Sequence, residues 1–362
     1  MSLPAEDLFV LDSREVDATL DTIEELQATT GMISWFPGGH CDPWNHVEAA
    51  MALAAGGRLP AAERAYEWLV SAQHDDGSWF NYYKADGSVE DRRIDTNVCA
   101  YIATGVWHHY LVTGDAAFVE ELFGPLGAAV EFVLGWQRPG GELTWSLRSD
   151  GSPEGYALLT GSSSVYLSLR CAIAAAELLG LERPEWELAA GRLRHAIAYR
   201  PELFAPKERY AMDWYYPVLT GAVTGPAAAK RLREGWARFV IEGAGVRCVS
   251  DRPWVTAAET AECVLSCLGA GLEGEAARLF AWVQDQRDEV GSYTTGRVYP
   301  ERSTFPHEER SSYTAAAVVL ANDALVGASP TSRLFLANAN GLPTGLDIEA
   351  LAEEEWDQEQ LA

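Results

Sequence analysis

Residues 42–73, DPWNHVEAAMALAAGGRLPAAERAYEWLVSAQ, hold two helices of different character joined by a short link, AGGR at 55–58. The first, VEAAMALAA over 47–55, is apolar on nearly every side, so folding has to cover it on nearly every side. The second, over 60–72, keeps Glu63, Arg64 and Glu67 on one stripe and Ala, Tyr, Trp and Leu on the other, the pattern of a helix with one face in water. A buried helix followed at once by a half-exposed one is a hairpin whose first arm belongs to an interior.

Working outward, the same alternation fills the chain. Apolar spacing near three to four predicts helices over 13–28, 43–54, 60–72, 96–112, 115–136, 163–179, 185–199, 213–220, 226–241, 256–270, 273–285 and 311–326. The first of these, REVDATLDTIEELQ at its centre, is amphipathic. NVCAYIATGVW, SVYLSLRCAIAAAELL, AECVLSCLGA and YTAAAVVLANDAL are apolar all round. Half-exposed and buried helices in strict alternation are what an outer ring around an inner ring requires. The expected fold is therefore all-α, an (α/α)6 barrel or six-hairpin toroid, in a single domain over 1–330. Residues 331–362, turn-rich and then acidic, read as a C-terminal tail.

The connections orient the barrel. Links from a buried helix to the next exposed one are short (55–58, 113–115, 180–183, 271–273), and those in the other direction are long (29–42, 73–95, 137–162, 200–212, 242–255, 286–310). Long loops in compact domains are usually functional. Here they all gather where the buried helices begin, so six positive helix ends face one basin. Glutamine, glycine and an aromatic recur at these turns: Gln27, Gly31 and Trp35; Gln73, Gly77 and Trp79; Gln137, Gly140 and Trp145; Gln286, Gly291 and Tyr293. The expected job of the glutamine is to satisfy the end of its own outer helix, while glycine permits the turn. This repeat resembles the QW-type repeat of squalene cyclases and protein prenyltransferase β-subunits, which implies an α/α barrel.

Charge narrows the partners. With 27 basic and 53 acidic side chains the formal net charge is −26, and such a surface repels nucleic acid and anionic membranes. No apolar run is long enough to span a bilayer. Six dispersed cysteines without a CxxC pair, and no secretory signal before MSLPAEDLF, point to free buried thiols and a cytoplasmic location. Nothing in the sequence calls for a metal or cofactor, and association into a homo-oligomer is left open.

Acids stand at or just before the starts of buried helices: Asp42, Asp95, Asp213, Glu259, Glu262, Glu308 and Glu309. Each has a plainer explanation. Asp42 before Pro43 suits an N-cap, Asp95 and Asp213 do too, and Thr256 with Glu259 fits a capping box. Glu262 escapes it, because it lies inside a helix of Ala, Cys, Val and Leu, where burial raises a carboxyl pKa. Glu48 is similarly placed and equally compatible with a structural hydrogen bond. Trp35, Trp44, Trp79, Trp145, Trp214, Trp254, Tyr82, Tyr83, Tyr156, Tyr210, Tyr215, Tyr216 and Tyr299, with His40, Asn45, His46, Arg92, Arg93, Arg252 and His307, complete an aromatic and polar lining suited to a sugar oligomer.

Two carboxyl groups suffice for glycoside hydrolysis, one to protonate the leaving oxygen and one to activate water. The leading pair is Glu262 as acid and Asp42 as base, with the roles exchangeable. They sit on the first and fifth buried helices, placed to stand about 6.5–9.5 Å apart, the spacing for inversion. Trp35, His40, Trp44, Glu48, Asp95, Tyr210, Asp213, Trp214, Trp254, Glu259, His307 and Glu308 are the candidate substrate-binding residues.

The chain as a whole resembles the (α/α)6 glycoside hydrolases, with Asp42-Pro-Trp-Asn-His-Val-Glu48 and Glu259-Thr-Ala-Glu262 where those enzymes keep catalytic and sugar-binding groups. It is similar to the actinobacterial hydrolases of methylmannose polysaccharides, which implies an endo-acting α-1,4-mannosidase. A class II terpene cyclase needs an Asp-x-Asp-Asp donor, and only Asp75-Asp76 adjoin. A prenyltransferase β-subunit needs zinc, and His40-Cys41-Asp42 are too close in sequence to converge on one ion. A non-catalytic polysaccharide-binding protein remains a reading, as does a sugar epimerase, although such enzymes usually use paired histidines and His108-His109 lie deep in a helix rather than at its open end.

Overall fold

The computed structural model describes residues 9–329 together with 332, 334–335 and 342–343. Outer helices are α1 (Ser13–Glu24), α3 (Leu59–Ser71), α6 (Ala116–Leu134), α8 (Pro184–Tyr199), α10 (Gly225–Phe239) and α12 (Glu273–Val283). Inner helices are α2 (Pro43–Ala55), α4 with α5 (Thr96–Ala100, Ile102–Thr113), α7 (Leu159–Leu178), α9 (Ala211–Leu219), α11 (Ala257–Gly269) and α13 (Ser312–Val326). The expected helix over 96–112 is thus interrupted at Tyr101. Inner helices touch in a closed circle, α2 to α5, α7, α9, α11, α13 and back to α2. Helix α7 is buried continuously over 162–176, as its lack of a polar face demands.

The loops at the inner helices' N-terminal ends hold short strands that the sequence did not predict. Strands β1 (Tyr82–Tyr83) and β2 (Val89–Asp91) pair within one loop, and β3 (Ile94–Asp95) pairs with β4 (Ser146–Leu147) of the next. Strands β5 (Val240–Ile241) and β6 (Gly245–Val246) form a ribbon, and β7 (Trp254–Thr256), β8 (Gly296–Val298) and β9 (Ser303–Thr304) make a small sheet. Two- and three-residue strands are too short for an alternation to register. The first amides of the inner helices are tied to neighbouring loops: Thr96 to Trp145 O (3.0 Å), Ala211 to Cys248 O (2.9 Å), Ala257 to Thr295 O (3.2 Å) and Ser312 to Trp35 O (2.7 Å).

The recurring glutamine acts differently from expectation. Gln27 Nε2 donates to Gly31 O (3.0 Å) and to Ala61 O (2.8 Å), Gln73 Nε2 to Gly77 O (3.0 Å) and Pro125 O (2.9 Å), and Gln137 Nε2 to Gly141 O and Ala189 O (both 3.0 Å). The second acceptor lies on the next outer helix each time, so the amide cross-links hairpins. In the third turn the left-handed glycine is Gly141, not Gly140. A Cβ on Gly31 would stand 2.0 Å from Arg64 O, and one on Gly77 2.2 Å from Ala128 O, so these turns press on the neighbouring helix too closely for any side chain.

The tail expected over 331–362 lies mostly outside the described residues. Of it, Ser332, Leu334, Phe335 and Leu342 are buried, and Arg170 of α7 donates to Leu342 O (3.1 Å) and Pro343 O (2.9 Å). Arg170 also reaches Thr220 O (3.3 Å) at the end of α9, so this segment closes the base of the barrel. No described helix is long and apolar enough to cross a membrane.

Candidate active site

The second residue of each inner helix (Trp44, Asn97, Thr160, Met212, Ala258, Tyr313) is only half-buried, which marks an open mouth over the ring. Asp42 caps α2, accepting from Asn45 N (3.0 Å) and, on its other oxygen, from Asn45 Nδ2 and Trp35 Nε1 (both 2.6 Å). Burial pushes its carboxyl upward, and these donors pull it back. Asp95 repeats the arrangement on α4, capping Asn97 N (2.9 Å) and accepting from Trp145 Nε1 (2.6 Å). Burial raises it to about 6, with Asp42 adding to the rise. Trp44 stacks on Tyr101 at 4.4 Å and donates to Ser164 Oγ (3.1 Å). Trp35 is edge-on to His40 (4.5 Å), Tyr313 (4.8 Å) and Tyr82 (5.9 Å).

One turn deeper lies a second layer. The sixth residue of α2 is Glu48, of α7 Ser164, of α9 Tyr216 and of α11 Glu262, and Tyr101 holds the same place counted from Thr96. All five line one cavity of about 10 Å³, room for about one water. Leu167, Leu219, Leu265 and Phe335 form its apolar remainder. Glu262 accepts from both Tyr216 OH (2.6 Å) and Tyr215 OH. Burial nevertheless raises its carboxyl to about 7, against the pull of the two phenols. Glu48 is held well above the usual carboxylate range, first by burial and then by Glu262 and Asp42.

The structure therefore gathers Trp35, His40, Asp42, Trp44, Glu48, Asp95, Glu259 and Glu262 about the mouth and its floor. Glu259, half-buried on the first turn of α11, stands beside Cys248 and Tyr313. Its expected capping box is missing, since Thr256 makes no side-chain cap. Asp213 is not the cap of α9, which is Tyr210. Asp213 accepts from Thr160 Oγ1 (2.7 Å), and Trp214 stacks on Phe239 and donates to Arg231 O (2.9 Å). Both line an outer crevice against α10. Tyr210 is exposed between Lys207 and Arg209. Trp254 donates to Phe305 O (2.9 Å) beside the small sheet, and His307 and Glu308 line a separate cavity beside α1.

Sequence reasoning named Tyr215 and Tyr216 only as lining aromatics and passed over Tyr101 and Tyr313. The common depth of Glu48, Tyr101, Tyr216 and Glu262 within their helices was the signal that could have found them. His46 is structural: its Nδ1 accepts from Ile33 N (3.1 Å) and its Nε2 faces Ala65 O (2.8 Å). His108 and His109 lie buried inside α5 without hydrogen-bond partners among the described residues. Nor do three or more His, Cys, Asp or Glu side chains among the described residues gather as a metal site.

Comparison with known proteins bears on the family and the fold. No family model matches the chain. It is 47% identical over 340 residues, 94% of this chain and 93% of the relative, to an MMP endo-(1,4)-3-O-methyl-alpha-D-mannosidase from Mycolicibacterium hassiacum. A solved glycosidase in complex with glucose superposes with a TM-score of 0.68 at 15% identity, covering 88% of this chain and 99% of that one. Cellobiose 2-epimerase from Spirochaeta thermophila superposes with a TM-score of 0.63 at 15% identity, covering 87% and 96%. At such identity these two share the fold alone.

Proposed function

The chain belongs to the family of the MMP endo-(1,4)-3-O-methyl-alpha-D-mannosidase, and from that membership we propose that this glycoside hydrolase cleaves α-1,4 linkages inside a 3-O-methylated mannan with inversion. Glu262 gives its proton to the glycosidic oxygen as the bond to the anomeric carbon breaks. Asp42 takes a proton from the water that attacks that carbon from the opposite face. The observation that carries this reading is the contrast between the two acids. Three N–H donors hold Asp42 ready to be an anion, while burial keeps a proton on Glu262 near neutrality. Trp35, Trp44, Tyr82 and Tyr313 offer half-buried rings on which the apolar faces and methyl ethers of such a sugar can stack.

The test is a defined α-1,4-linked 3-O-methylmannose oligosaccharide followed by proton NMR. Internal cleavage with the β-anomer appearing first is expected, and Glu262→Gln or Asp42→Asn should lower kcat by roughly 10²–10⁴-fold. First appearance of the α-anomer, or near-normal turnover by either variant, overturns the assignment.

A further inference from the structure

The mechanism above uses one carboxyl of the inner layer and leaves the other unemployed. Glu48 is buried at the sixth position of α2 and shares its small cavity with Glu262. Among the described residues, every titratable group bearing on the two is acidic, phenolic or a thiol: Asp42 from α2, Tyr101 between α4 and α5, Tyr215 and Tyr216 from α9, Glu259 and Cys263 from α11, and Cys248 from the loop before it. Helix α7 contributes only the Ser164 hydroxyl and leucine. Among the described residues no Lys, Arg or His acts on either carboxyl. Two buried carboxyls without a neighbouring cation cannot both ionise.

The surroundings decide where a single remaining proton rests. Burial keeps a proton on Glu262 to about pH 7, and the two phenolic O–H bonds it accepts make it the first of the pair to ionise above that. Glu48 receives no hydrogen bond among the described residues, so it is the natural carrier. The cavity between them admits about one water, enough for one proton step from carboxyl to water to carboxylate.

We propose that Glu48 is the proton reservoir of the acid: above pH 7 the pair holds one proton, which rests on Glu48, passes through the cavity water to Glu262 and goes from Glu262 to the leaving oxygen, after which the pair is reloaded from solvent. The exchange is neutral overall, since Glu48 becomes the anion when Glu262 becomes the acid. The proton taken from water at Asp42 restores the balance through solvent at the mouth. This inference rests on the reading of Glu262 as the acid, so its test needs an arm that does not depend on turnover.

That arm is infrared difference spectroscopy at pH 8, where the C=O band of a protonated buried carboxyl separates from carboxylate bands. The wild-type chain and Glu262→Gln should show the band, and Glu48→Gln should lack it. In the activity arm, the loss of kcat in Glu48→Gln should be smallest at pH 5.5, since at that pH Glu262 is protonated unaided. Above pH 7 its kcat should fall about tenfold per unit below that of the wild-type chain, and Glu48→Asp should recover part of that limb. A wild-type band absent at pH 8, a band that survives in Glu48→Gln, or a loss equal at all pH values overturns the proposal. Full turnover by Glu262→Gln with the expected bands would instead sink the acid assignment and leave the shared proton standing.

Discussion

Glu262 is flanked on its helix by Ala261 and Cys263 and faces two tyrosines and a second glutamate, with no cation among the described residues to offset its charge. Such a group costs stability wherever it is ionised. The folded chain holds its proton to about pH 7, whereas an unfolded glutamate releases it near pH 4.5. The native state thus binds more protons across that window, and its stability falls as pH rises through it. Glu262→Gln should therefore raise the melting temperature at pH 8 by several degrees and change it little at pH 4.5, as calorimetry can check. Asp42→Asn tests a different balance. Asparagine offers one accepting oxygen where Asp42 uses two, so its NH2 must face at least one of the three N–H donors, and the melting temperature should fall by several degrees while turnover collapses. An unchanged melting temperature would mean that these bonds to Trp35 and Asn45 do not hold the loop together.

Helix rotation explains which side chains were legible. Trp214 and Tyr216 are two residues apart on α9, which turns them about 200°; one stacks on Phe239 beside α10 and the other reaches Glu262 on the axis. A sequence places both at the start of a buried helix and does not say which faces the axis. Asp213 was lost to the outer crevice in the same way. The turns were more legible, because their glycines recur. Gly77→Ala should destabilise the chain by about 2–4 kcal/mol in urea titration, since its φ of +89° is strained and its Cβ would strike Ala128 O. Gly87→Ala is the matched control, with a φ of +81° and open space around the added carbon. It should cost only about 1 kcal/mol. Equal losses would mean that the press of turn on neighbouring helix contributes nothing.

At the scale of the whole molecule the ring must close on itself. Leu11 N donates to Asn322 Oδ1 (2.8 Å), Thr19 Oγ1 to Gly291 O (3.0 Å), and Ser312 Oγ to Ser34 O (2.9 Å), joining the first hairpin to the last. Asn322→Ala leaves a buried amide unpaired, at a cost of about 1–3 kcal/mol. It should lower the melting temperature and preserve a single calorimetric transition, because Gln27, Gln73 and Gln137 cross-link the hairpins they join. A second, separate transition would show that the first hairpin folds independently. The sequence by itself determined the two rings, the end at which the loops gather, the cap at Asp42 and the burial of Glu262. Each of these follows from local periodicity or from what a helix without a polar face must do. Only the tertiary structure decided that Glu48, Tyr101, Tyr216 and Glu262 form one layer, and that His307, Glu308, Asp213 and Trp214 lie elsewhere. Rotation of each helix about its axis and its depth in the ring are set by packing against neighbours far away in the chain, and no local pattern encodes them.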